Sequence, residues 1–71
     1  MDEPAIFTVS SSQVGWLVCE GEEIAGVLSS QQSALKTADW LAHQRHVESG
    51  LPTAVVLRYP GGAEVMAGRY D

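Results

Sequence analysis

Residues 30–49 read SQQSALKTADWLAHQRHVES, a stretch without glycine or proline in a chain that both residues otherwise punctuate. This stretch decides the fold, because its apolar positions follow a helical period. At about 100° per residue, Ala34, Leu35, Leu41, Ala42 and Arg45 fall within about 60° of Ala38. The stripe is narrow and rich in alanine, which lets a helix lie close on a sheet. Ser30 supplies an N-cap oxygen, with a Ser29-x-x-Gln32 capping box as the alternative. Gly50 suits the position after the last turn, and Pro52 stops the helix from resuming.

On either side the period changes to two. Ala5 to Ser10 is rich in β-branched and aromatic residues and predicts a first strand, with Ala5, Phe7 and Val9 on one face. Ser11 to Gly15 reads as a loop. Trp16 to Glu20 predicts a second strand, Trp16 and Val18 facing one way, Leu17 and Cys19 the other. Ile24 to Leu28 follows after the turn Gly21-Glu22-Glu23, weakened by Gly26. Beyond the helix, Thr53 to Tyr59 is the strongest strand signal in the chain. Tyr59-Pro60-Gly61-Gly62 has the residues of a type II turn, and Ala63 to Ala67 predicts the last strand.

The predicted architecture is therefore α+β: an antiparallel sheet of about five strands, in the order β-β-β-α-β-β, with one helix packed on one face. The 71 residues make one domain, with Met1 to Pro4 and Gly68 to Asp71 as loose tails. The expected core is Phe7, Val9, Trp16, Val18, Ala34, Ala38, Leu41, Ala42, Val55 and Leu57. Cys19, alone of its kind and set in an apolar run, reads as a small core residue. Several strands carry apolar residues on both faces, yet one helix covers one face. The other face needs either water, which those residues suit poorly, or a partner. In a chain this short, apolar burial and the entropy of ordering nearly cancel, so a second subunit is a natural source of extra burial.

Charge narrows the partners. Nine acids oppose four bases, a formal charge of −5. Lys36, Arg45, Arg58 and Arg69 are scattered, which argues against nucleic acid, whose phosphates are bound through clustered bases. No apolar run reaches the roughly 20 residues a membrane helix needs. The acidic start Met1-Asp2-Glu3-Pro4 does not read as a secretory signal, so a cytoplasmic chain is expected.

A resemblance rests on Val9, Gly15-Trp16-x-Val18, Ser30-x-x-x-Ala34-x-x-x-Ala38-x-x-Leu41-Ala42, Val55-Val56 ahead of Gly61-Gly62, and Tyr70. On these residues the chain resembles a small bacterial family of unknown function built as single β-β-β-α-β-β domains. That family usually has threonine at the cap and glycine after the terminal tyrosine, where Ser30 and Asp71 stand here. The resemblance implies the fold and brings no activity.

Among candidate sites, Asp39, His43 and His46 share one flank of the helix, and a carboxylate with two imidazoles could bind a divalent ion. The competing reading is a solvated flank of i,i+3 and i,i+4 contacts. Trp40 falls on the outward face with Val47, His43 and Lys36. Tryptophan facing away from its own core suggests an interface with a second copy or another protein; the alternative is a ring folded over its own helix. Glu20, Glu22 and Glu23 read as a solvated turn. No nucleophile, phosphate loop or carboxylate pair stands in a catalytic context. The expectation is a non-catalytic, cofactor-free interaction module, most simply a homodimer. Nucleic-acid binding by the sheet is the alternative that the charge disfavours.

Overall fold

A computed structural model describes residues 4–71. The elements are β1 (Ala5–Ser12), β2 (Gly15–Glu20), β3 (Glu23–Leu28), α1 (Gln31–Ser49), β4 (Thr53–Arg58) and β5 (Glu64–Tyr70). They form one five-stranded sheet in the spatial order β3-β2-β1-β4-β5, with α1 against one face. No helix among the described residues is long and apolar enough to cross a membrane.

The sheet is mixed rather than purely antiparallel. β1 pairs antiparallel with β2, β2 with β3, and β4 with β5, but β1 and β4 run parallel. The cause is the helix. Parallel neighbours cannot be joined by a tight turn; they need a long connection, usually helical. α1 leaves the outer strand β3, crosses back over the sheet and delivers β4 to the free edge of β1. The doubly apolar run Ala54-Val55-Val56-Leu57 fits a strand with neighbours on both sides.

Ser30 caps α1: its Oγ accepts from the Ser33 amide at 3.1 Å, so the cap falls there rather than at Ser29. Gly50, at φ 74°, ends the helix in the left-handed conformation and donates its N–H to the His46 carbonyl at 2.8 Å. Ala34, Ala38 and Ala42 are fully buried over Phe7, Val9, Val18, Val55 and Leu57. Trp16 and Leu41, expected in the core, are half-buried and pack against its margin with Leu28 and Leu35. Arg45, at the edge of the stripe, is exposed and reaches across to Glu20 on β2 at 2.9 Å. One buried polar side chain joins the core: the Thr53 hydroxyl donates to the Ala42 carbonyl at 2.9 Å.

Three further expectations need correction. Ser11 and Ser12 continue β1, so the β1–β2 loop shrinks to Gln13-Val14. Gly68 to Tyr70 is the end of β5, not a loose tail, because Tyr70 pairs with Thr53 and its ring packs on the helix. Cys19 is half-buried on the sheet face away from α1, since it pairs with Thr8 rather than with Phe7 or Val9. Of the predicted N-terminal tail, Pro4 is exposed outside any strand; Met1 to Glu3 lie outside the described residues.

Candidate functional site

Strand alternation sends every second side chain away from the helix. The registers align these outward residues into rows. Two rows cross the whole sheet, and the more apolar is Ile24 on β3, Cys19 on β2, Thr8 on β1, Val56 on β4 and Met66 on β5. Only Thr8, at its centre, is polar. A second row places Val27 and Leu17 beside Ser10, Arg58 and Glu64. A third places Ile6 beside Ala54 and Arg69. Met66 is 58% exposed and Ile24 62%, so both ends of the more apolar row are open.

The charges on this face cancel. Arg58 binds Glu64 at 2.7 Å, and Arg69 binds Asp71 at 2.7 Å. Among the described residues, the acids Glu20, Glu22, Glu23, Asp39 and Glu48 lie off this face with Lys36 and Arg45. Among the described residues, the excess negative charge therefore lies elsewhere. Arg45 is also ion-paired, which leaves Lys36 as the base with no salt bridge among the described residues. No cationic stripe is available to follow a phosphate backbone.

The helix flank with Asp39, His43 and His46 is built around a residue from another element. The Tyr70 hydroxyl donates to Asp39 Oδ1 at 2.8 Å. The His43 ring meets the Tyr70 ring edge-on at 5.0 Å, and His46 stacks on it at 6.2 Å. His46 Nδ1 lies 2.7 Å from the Leu51 carbonyl, which requires that nitrogen to carry the proton. Among the described residues, no group of three His, Cys, Asp or Glu side chains is placed to share an ion. Tyr70 is instead the residue that all three side chains meet. The hydrogen bond to Asp39 holds the Tyr70 phenol above its ordinary 10.0, since losing the proton would set a phenolate against a carboxylate.

The interface candidates share the outward crest of α1 but part at their tips. Trp40 is 60% exposed and Val47 65%. Trp40 borders a groove toward β3 with Ala25 and Leu41. His43 turns the other way, to Tyr70, and Lys36 borders a second groove with Leu35 and Val55. The outward Trp40 follows from the wheel. The cross-sheet row does not, because register is set by pairing between distant segments.

Compared with protein-family models, with curated proteins and with solved structures, the chain matches none.

Proposed function

We propose that the protein is a cytoplasmic, non-catalytic self-association module, in which two copies pack the sheet faces that α1 leaves open. The observation that carries this reading is the apolar row Ile24, Cys19, Thr8, Val56 and Met66 across a face whose charges cancel. A second copy is repelled by surfaces that carry the excess acid and meets no such repulsion here. Two such faces pack as a sandwich, side chains interdigitating about 10 Å apart. The helix side gives little support to catalysis: Asp39, His43, His46 and Tyr70 are engaged with one another in holding β5 to the helix.

The test is sedimentation velocity of Val56→Lys against the unaltered chain, with Val47→Lys as a control on the helix crest. Val56→Lys should sediment as a monomer and Val47→Lys like the unaltered protein. Equal behaviour of all three would remove the sheet face from the account. A gel shift at low salt addresses the alternative; salt-sensitive binding to a duplex would favour nucleic acid.

A further inference from the structure

The β3 edge of the sheet carries a second surface, which shares only Ile24 and Val27 with the face used for self-association. β3 is an edge strand whose one charge, Glu23, stands at its first position and whose bulge leaves Ala25 unpaired; from Ile24 to Leu28 it has neither a charged residue nor a proline. The edge is thus only lightly guarded against pairing. The opposite edge, β5, has charges at Glu64 and Arg69. Beside β3, the helix leaves a groove of about 350 Å³ whose walls include Ala25, Trp40 and Gln44. Trp40 is thus a large aromatic anchor with most of its surface uncovered, next to a row of backbone groups with no partner strand.

Charge gives the groove a direction. Glu20 and Glu48 line it with Arg45, whose guanidinium is already paired with Glu20. Glu23 stands opposite Glu20 in the β2–β3 register. The acids gather toward the β2–β3 turn, while Ala25, Trp40 and Leu41 form the apolar part. A strand laid along β3 presents alternate side chains to this groove.

We infer that the β3 edge and the Trp40 groove bind an extended segment of a different protein, added as a sixth strand. That segment places an apolar side chain against Trp40. It places a lysine or arginine further along the same face, toward Glu23 and Glu48. Main-chain bonds to the edge supply affinity and the groove supplies specificity. A second copy of this chain fits poorly. Its β5 edge pairs with β3 only head-to-tail, and Arg69 there is committed to Asp71; its β3 edge offers no lysine or arginine to meet Glu23 and Glu48.

The probe is a short synthetic peptide alternating lysine and valine around a central leucine, titrated into isotopically labelled protein at low salt. One control peptide keeps the charge but carries two prolines; another replaces lysine by glutamate. The inference predicts saturable shifts concentrated in the Ile24–Leu28 amides and the Trp40 indole, absent with either control. Trp40→Ala and Glu48→Lys should each weaken binding about fivefold or more while leaving the remaining amide spectrum in place. No saturable shift would overturn it. So would equal binding of the proline peptide, which would reduce the effect to charge, or shifts confined to Thr8, Val56 and Met66 of the open sheet face.

Discussion

The Tyr70 hydroxyl donates to Asp39 Oδ1 at 2.8 Å, tying the last residue of β5 to the middle of α1. Only the neutral phenol makes this bond, and its proton is held above the ordinary 10.0. The stability it adds is therefore complete below pH 10.0 and is lost as pH rises through the raised folded-state value. In a Tyr59→Phe background, phenolate absorbance reports Tyr70 alone. Asp39→Asn should bring its titration back toward 10.0; an unmoved midpoint would mean the contact does not form in solution.

Thr53 is 1% exposed and its hydroxyl donates to the Ala42 carbonyl at 2.9 Å. Thr53→Val keeps the shape and deletes the donor, and should cost about 1–2 kcal/mol in urea unfolding. An unchanged midpoint would show that the bond contributes nothing net.

Gly15 opens β2 at φ 134°, and a Cβ there would meet the Leu28 carbonyl oxygen at 2.7 Å. Both the backbone conformation and the space exclude a side chain. Gly15→Ala should cost about 1–3 kcal/mol, whereas Gly21→Ala, with nothing within 4 Å of its Cβ, carries only the backbone penalty of φ 61°. Comparing the two thermal midpoints separates the terms. A larger loss at Gly21 would contradict the close approach.

Ala38 is fully buried where α1 crosses the sheet. Ala38→Leu forces the helix away from Phe7 and Val55 and should cost about 1–3 kcal/mol by overpacking. A stabilised variant would reveal an unfilled space at this crossing.

Local features of the sequence are sound guides to the elements: the Ser30 cap, the Gly50 stop, the alanine stripe and the faces of β1 and β2 are where the residues put them. What depends on distant partners is harder to read. The parallel pairing of β1 with β4 turns on how α1 crosses the sheet, which no local pattern records. Asp39, His43 and His46 do share a flank, but the residue they surround is Tyr70, thirty-one positions beyond Asp39. No local pattern signals that the strand runs on to it, because Val65-Met66-Ala67-Gly68 does not alternate. Cys19 lies opposite Val18, as alternation places it; the apolar run around it does not make it a core residue, because the face it shares with Thr8 is open.

The central claim is that the open sheet face joins two copies, and molar mass tests it most directly. Light scattering on the unaltered protein, over a range of concentrations, should give twice the 7.6 kDa of one chain, falling toward a single chain only on dilution. A constant mass of 7.6 kDa at every concentration would contradict it.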